Sequence, residues 1–388
     1  MTDYSSNHSD GLRPATLLVH QGRDRDSFTG AATVPIYTAS TYHQHGGRDG
    51  AYDYARSGNP SREQVEDAIA LLEGGTAGFA YASGMAAIAG ALALLDSGDH
   101  LLASSDLYGG SYRYLSTVLP RQGITVDFVD TTDAAKFAAA IRPETRAIFI
   151  ETPSNPLFRI TSLRAMVELA QHHNLLTILD NTFMTPLLLR PLELGVDVVV
   201  HSATKFLGGH SDLLAGLAVT ADADLARRLK HYQNAAGNVL APFDAFLLSR
   251  GMKTLKIRLE AAQAGAGVLA ERLSQHPAVQ QVLYPGLTDF PHRARHFAQS
   301  SGPGAVLSFI LREPARVAGL LKRVRLPIIA PSLGGVETIL THCWSMSHAA
   351  VPDDVKASIG LSAGLLRLSV GIEDVEDLWR DLEQSLEG

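Results

Sequence analysis

The chain has 388 residues, 46% of them hydrophobic and 19% charged, with a formal net charge of −7. That length exceeds what one hydrophobic core usually supports, so two domains, or a large one with a smaller companion, are expected. The negative balance disfavours a phosphate backbone as partner, no biased tract suggests disorder or a fibre, and no apolar run reaches the roughly 20 residues of a membrane helix.

In chain order, the opening segment MTDYSSNHSDGLRPATL is polar and lacks the basic start and apolar core of a signal peptide. The first fifty or so residues carry turn formers and no long periodic segment, so residues 1–60 read as an arm. From about Glu66 the pattern alternates between helical stretches and short β-branched runs, which predicts an α/β domain with a mostly parallel sheet over 61–250. Seven strands are expected: 77–82, 100–104, 125–130, 147–151, 176–180, 198–202 and 215–220. SLRAMVELAQHH (162–173), with apolar residues at three- and four-residue spacing, is a helix between two of them. After SRGMKTL (249–255) the rhythm changes to a long helical stretch (258–275), a strand GAVLSFIL (304–311) and a final helix from about Glu373, which predicts a smaller α/β domain over 251–388. The one cysteine, Cys343, excludes an internal disulfide and a cysteine-built metal cage, in keeping with a reducing compartment. The cytoplasm is the expected location, with neither nucleic acid nor membrane as partner.

Chemistry-bearing residues collect where these strands stop, the edge at which open α/β sheets bind ligands. DNTF (180–183) ends the strand LTILD, and HSATK (201–205) ends VVVHS. Pyridoxal 5′-phosphate (PLP) chemistry needs such a pair: an aspartate keeps the pyridine nitrogen protonated, and a lysine amine forms the imine that substrate amines displace. An isolated strand-end acid or lysine reads more readily as a cap or a solvated base. Ser202 and Thr204, whose hydroxyls can donate to phosphate oxygens beside Lys205, change that balance. ASGMAAI (82–88) follows the first strand and opens a helix, so the N–H groups of Gly84 and Met85 suit an anion, although an ordinary strand-to-helix turn has the same form. YDYARSGNPSR (52–62) brings Tyr54, Arg56 and Arg62 around a Gly-Asn-Pro turn, either as a polar surface loop or as a phosphate clamp reaching a neighbouring subunit. No dinucleotide or nucleoside-triphosphate fingerprint follows a strand. His201, His210, His342 and His348 form no tight ligand pair with a carboxylate, so no metal is expected. Glu373 and Asp374 read as a solvated helix face.

Taken together the segments resemble the Cys/Met-metabolism PLP enzymes, the family of cystathionine γ-synthase, the cystathionine β- and γ-lyases and methionine γ-lyase. The resemblance runs from about His20 to the C-terminus. It rests on VPIYTASTY (34–42), YARSGNP (54–60), ASGMAAI, DLYGGSYR (106–113), ETPSNP (151–156), DNTF, HSATKFLGGHSDLLAG (201–216), RGMKTL (250–255), SLGGVET (332–338) and LLRLSVGIEDVEDL (365–378). It implies a PLP-dependent transferase of fold type I, aspartate-aminotransferase-like, with a seven-stranded sheet in the large domain. It further implies that Lys205 holds the cofactor as a Schiff base and later moves protons, and that Asp180 pairs with the pyridine nitrogen. Gly84, Met85, Ser202 and Thr204 would bind the phosphate, joined by Tyr54 and Arg56 of a partner subunit. Thr182 would also contact the cofactor, and Tyr108 would stack on its ring. Asn155, Ser332 and Arg367, with Tyr54, would hold the substrate. A dimer is then the smallest active unit, and pairs of dimers make a homotetramer.

The implied activity is γ-elimination from a γ-substituted L-amino acid such as cystathionine or a homoserine derivative. The alternatives are γ-replacement on an O-acylhomoserine, β-elimination from cystathionine, γ-elimination of an oxygen-linked group as in canavanine, and, in a different class, an inactive scaffold. Pro331 before SLGG leans toward γ-chemistry. Gly110, where methionine γ-lyases carry cysteine, counts against methionine. Cys343 and Trp344 replace the family's usual Pro-Ala, either as a packing change or as altered recognition of the leaving group.

Overall fold

The computed structural model describes residues 11–21, 26, 28–44, 50–349 and 351–387. The strands are β1 (Ala77–Tyr81), β2 (His100–Ser104), β3 (Thr125–Val129), β4 (Thr145–Glu151), β5 (Leu176–Asp180), β6 (Val198–Ser202), β7 (Gly216–Thr220), β8 (Val279–Leu283), β9 (Val306–Leu311), β10 (Ile328–Ile329), β11 (Ile339–His342) and β12 (Leu365–Ser369). The helices that bear on the site are α1 (Pro60–Glu73), α2 (Gly84–Leu92), α3 (Gly109–Thr117), α4 (Leu163–His173), α5 (Leu255–Gln275) and α6 (Val375–Glu387). All seven strands expected over 77–220 are present, each within two residues of its predicted bounds, and a short helix at Pro14–His20 lies in the segment read as an arm.

Two compact units divide the chain, Met1–Leu94 with Asp197–Lys256, and Leu95–Val196 with Ile257–Gly388. In the first, α1 starts where the sequence directs. Asn59 accepts from the Ser61 and Arg62 N–H groups, Pro60 supplies a preset φ, and Gly74 in the left-handed region (φ 75°) stops the helix. The strand order here is β1-β7-β6, and β7 runs antiparallel to both neighbours. The reason is the connection from β6 to β7, which holds no helix to carry the chain back for a parallel return. Lys205 sits in that connection.

The second unit has the order β5-β4-β2-β3, every pairing parallel. Helix α4 shows how the pattern becomes packing: Leu163, Met166, Val167 and Ala170 are buried, the Ser162 hydroxyl caps the start, and Asn174 in the left-handed region ends it. A five-stranded, largely antiparallel sheet in the order β10-β11-β12-β9-β8 completes the unit. Its core takes Ala266, Leu269 and Leu273 from α5, Phe309 from β9, Leu366 and Leu368 from β12, and Leu378 and Leu382 from α6. Each of these leucine and phenylalanine side chains contributes roughly 1.5 to 3 kcal/mol of hydrophobic stabilisation. Among the described residues no helix is long and apolar enough to cross a membrane.

Candidate active site

In the first unit, the turn after β1 brings the head of α2 against the end of β6. Ser83 caps α2 by accepting from the Ala86 N–H at 3.1 Å. A Cβ at Gly84 would lie 2.7 Å from Ser202 Cβ and 2.9 Å from its Cα, so only glycine permits this approach. Gly84 and Met85 head the helix, and their N–H groups point away from any helical carbonyl. The result is a nine-residue helix N-terminus with a serine hydroxyl beside it, which suits a phosphate. Thr204 does more than the sequence suggested: its hydroxyl donates to the Ala215 carbonyl at 3.2 Å and accepts the Ala215 N–H at 3.0 Å, closing the base of the loop that carries Lys205. The Lys205 side chain is half-buried.

The YARSGNPSR segment divides its cations. Arg62 turns inward, 1% exposed, and donates to the Ala55 carbonyl at 2.7 Å and the Arg56 carbonyl at 3.2 Å. It therefore shapes the loop from behind. Tyr54 stays exposed, with the Arg56 guanidinium 5.6 Å from its ring centre. Both border a cavity of about 580 Å³ together with Asn59, Arg62 and Gly237. His201, next to Ser202, is buried and hydrogen-bonds Glu73 through Nε2 at 2.6 Å, a link between β6 and the end of α1 that its motif did not announce.

In the second unit Asp180 ends β5, where its Oδ1 accepts the Thr182 N–H at 3.0 Å and the Thr182 hydroxyl at 2.6 Å. Thr182 thus orients the acid. Glu151 at the end of β4 is its register partner. One Glu151 oxygen accepts the Tyr108 N–H at 2.9 Å. Burial, and then the Asp180 charge, hold the Glu151 carboxyl well above the usual carboxylate range. Tyr108 stands exposed at the head of α3, and its ring occupies the space a side chain at Gly110 would fill.

Arg367 on β12 is 1% exposed. Its Nη1 donates to Asn155 Oδ1 at 2.8 Å, and its Nη2 to the Ser332 carbonyl at 2.7 Å and the Thr341 hydroxyl at 3.1 Å. Asn155, Ser332 and Arg367, predicted as one group, are brought together. Arg367 Nε has no hydrogen-bond partner among the described residues, a buried donor left for a ligand carboxylate. Asn155 is held in turn by its own loop: the Ser154 hydroxyl and the Leu157 N–H donate to buried Asp106, and Ser308 donates to the Pro156 carbonyl at 2.9 Å. Burial pushes the Asp106 carboxyl up to about 6. His348 is buried as a neutral ring, donating to the Leu107 carbonyl at 3.0 Å and accepting from Ser347 at 2.9 Å, and burial pushes it down to about 4.

Sequence reasoning assigned no role to Glu151, Asp106 or Thr341, and weighed His348 only as a metal ligand. The rule that singled out Asp180, an acid where a strand stops, applies equally to Glu151. Of the other histidines, His210 bonds its ring to the Gly208 carbonyl, and His342 to Ser345 and the Ala363 carbonyl. Cys343 is fully buried, and Trp344 lies under the Lys356 ammonium, 4.8 Å from its ring centre. Among the described residues no group of three or more His, Cys, Asp or Glu could hold a metal ion.

These residues fit PLP: a glycine-lined anion cradle and a lysine in the first unit, and in the second a hydrogen-bonded strand-end aspartate, an exposed tyrosine and a buried arginine with a donor to spare. The comparisons agree. The model of the family described as Cys/Met metabolism PLP-dependent enzyme matches residues 15–387. The chain is 53% identical over 372 residues to the cystathionine beta-lyase MetC of Bacillus subtilis (strain 168), covering 96% of this chain and 95% of that one. It is 46% identical over 377 residues to the cystathionine gamma-lyase of the same strain, covering 97% and 100%. A crystal structure of cystathionine gamma synthase from Xanthomonas oryzae pv. oryzae in complex with cystathionine superposes with a TM-score of 0.95 at 43% identity, covering 97% of this chain and 98% of that one. The chain therefore belongs to the Cys/Met-metabolism PLP-dependent enzymes, with their fold and their cofactor.

Proposed function

We propose that this enzyme is a carbon–sulfur lyase that cleaves a thioether amino acid of the cystathionine type at Cγ, releasing cysteine, 2-oxobutanoate and ammonia. The observation that carries the amino-acid part is buried Arg367, braced by Asn155, Ser332 and Thr341 and holding Nε in reserve for the substrate carboxylate. Bound PLP supplies an electron sink that makes the Cα proton of an attached amino acid removable. Asp180, oriented by Thr182, keeps a negative charge for the pyridine nitrogen. Gly84, Met85 and Ser202 receive the phosphate, and Thr204 fixes the loop that delivers Lys205. Tyr108 stacks on the ring. The Lys205 amine would take the Cα proton, give it up to the electron sink that the bound cofactor supplies, then take a second from Cβ and deliver that one to the sulfur leaving Cγ.

Tyr54 and Arg56, exposed and stacked on one another, serve a partner subunit's phosphate, with Tyr54 also facing its substrate, so the working unit is a dimer and the full assembly a homotetramer. The arm ends near residue 60 and the large domain near residue 250. A single buried cysteine and the acidic balance suit the cytoplasm. A second reading, β-elimination to homocysteine, pyruvate and ammonia, is favoured by the 53% identity to a protein named as a β-lyase. Incubation with L-cystathionine and identification of the 2-oxo acid tests the choice: 2-oxobutanoate supports cleavage at Cγ, and pyruvate alone overturns it. Lys205→Ala is expected to abolish the visible absorption band of the bound cofactor.

A further inference from the structure

Glu151 belongs to none of the roles assigned above, yet it hydrogen-bonds Tyr108 and stands in register with Asp180. Its position at the end of β4 puts it in register with Asp180 on the parallel neighbour β5, so both side chains leave the same face of adjacent strands, roughly 5 Å apart at the backbone. One carboxyl oxygen accepts the Tyr108 N–H at 2.9 Å, and this N–H precedes α3, outside the hydrogen bonding of the helix. The bond therefore sets where the helix head lies, and with it where the tyrosine ring starts. Glu151 is 5% exposed.

We propose that Glu151 is a positioning residue for Tyr108, working as a proton-carrying carboxyl so that Asp180 is the carboxylate charge presented to the cofactor ring. The inference rests on the roles proposed above for Tyr108 and Asp180. Two carboxylates at neighbouring strand ends cannot both ionise cheaply in a buried setting. The groups that face Glu151 are Asp180 on β5, Asp106 beyond the end of β2, Arg367 on β12 and the Tyr108 N–H. Burial opposes its ionisation most and the Asp180 charge next; the Tyr108 N–H favours it, Asp106 opposes it more weakly, and Arg367 favours it least. Asp180 has Thr182 as a donor pair, which stabilises its charged form. The proton thus resides on Glu151 and the charge on Asp180.

The test compares Glu151→Ala, Glu151→Asp and Glu151→Gln as holoenzymes, by steady-state kinetics and by the pH profile of the cofactor's visible band. Glu151→Ala frees the Tyr108 backbone and is expected to lower kcat about 10- to 100-fold with a much smaller change in KM. Its effect should largely vanish in a Tyr108→Ala background, because the ring it positions is absent there. Glu151→Asp, which withdraws the carboxyl by a methylene, should show the same pattern if the alanine variant does not fold. Glu151→Gln keeps an acceptor oxygen and carries no ionisable proton, so it should rescue most of the lost kcat and leave the pH midpoint of the band in place. A midpoint moved by about one unit or more in Glu151→Gln would mean that the native residue is charged. That result, or a kcat near wild type in both Glu151→Ala and Glu151→Asp, overturns the proposal. A wild-type protein with no visible band would instead defeat the cofactor roles on which it rests.

Discussion

Gly84 and Ser202 meet so closely that a single methyl group on the glycine would press within 2.7 to 2.9 Å of the serine's Cβ, Oγ and backbone. The clash includes backbone, so no rotamer change relieves it. Gly84→Ala is expected to separate the head of α2 from the end of β6, destabilise the fold by about 1 to 3 kcal/mol and weaken PLP uptake. A fluorescence titration of PLP into the apo-enzyme, beside a denaturation curve, measures both.

Arg367 holds three protein acceptors through its two Nη groups. Lysine carries one point of charge and cannot keep those bonds while offering a further donor to a substrate carboxylate. Arg367→Lys should lower kcat/KM about 30- to 100-fold, the loss of one charge-assisted hydrogen bond of about 2 to 3 kcal/mol. The visible band of the bound cofactor should remain. An unchanged kcat/KM would remove Arg367 from substrate binding.

Gly110 leaves room that the Tyr108 ring fills, with the ring's Cζ at 3.0 Å from where a Cβ would stand. The ring is flexible and will yield, so Gly110→Ala is expected to fold normally while moving the tyrosine. A fall in kcat of about 10-fold or more, with the cofactor still bound, is the expected result.

His348 and Asp106 make stability depend on pH in opposite senses. The native ring of His348 titrates at about 4, against about 6.5 for an unfolded histidine. Between those values the unfolded chain binds a proton that the native chain refuses, so stability falls as pH drops through the window, by roughly 3 kcal/mol in total. Asp106, raised to about 6, holds a proton in the native state that the unfolded chain has already lost, so its contribution rises as pH falls through 6 toward 4. Chemical denaturation across pH 4 to 7 should therefore show a shallower acid loss in His348→Gln and a steeper one in Asp106→Asn.

The seven strands over 77–220, the helix over 162–173 and the places of Asp180 at the end of β5 and Lys205 just beyond β6 were legible in the sequence because each depends on local pattern: alternation, caps, and polar residues where an apolar run stops. The antiparallel course of β7 was less so, since its fully buried run looks like that of a parallel strand and only the helix-free return from β6 decides its direction. Arg62 and Arg56 lie in one motif and look alike, yet one is buried under the loop and the other faces out. Glu151 and Asp106 acquire their character from Tyr108, Ser154 and Leu157, partners distant in sequence that no spacing rule connects. Trp344 takes the Lys356 ammonium over its ring, a contact with a residue twelve positions on that its departure from Pro-Ala did not announce.

The chain's one thiol has a consequence for handling sulfur. An enzyme of Cys/Met metabolism works amid nucleophilic sulfur, and a reactive cysteine of its own would be drawn into mixed disulfides. Cys343 is fully buried, and burial pushes its thiol up despite the nearby Arg367 charge. With little thiolate and no path for an attacking sulfur, exchange is closed to it. A thiol reagent should label the protein only once it is unfolded, and turnover should leave the enzyme free of adducts with its own product.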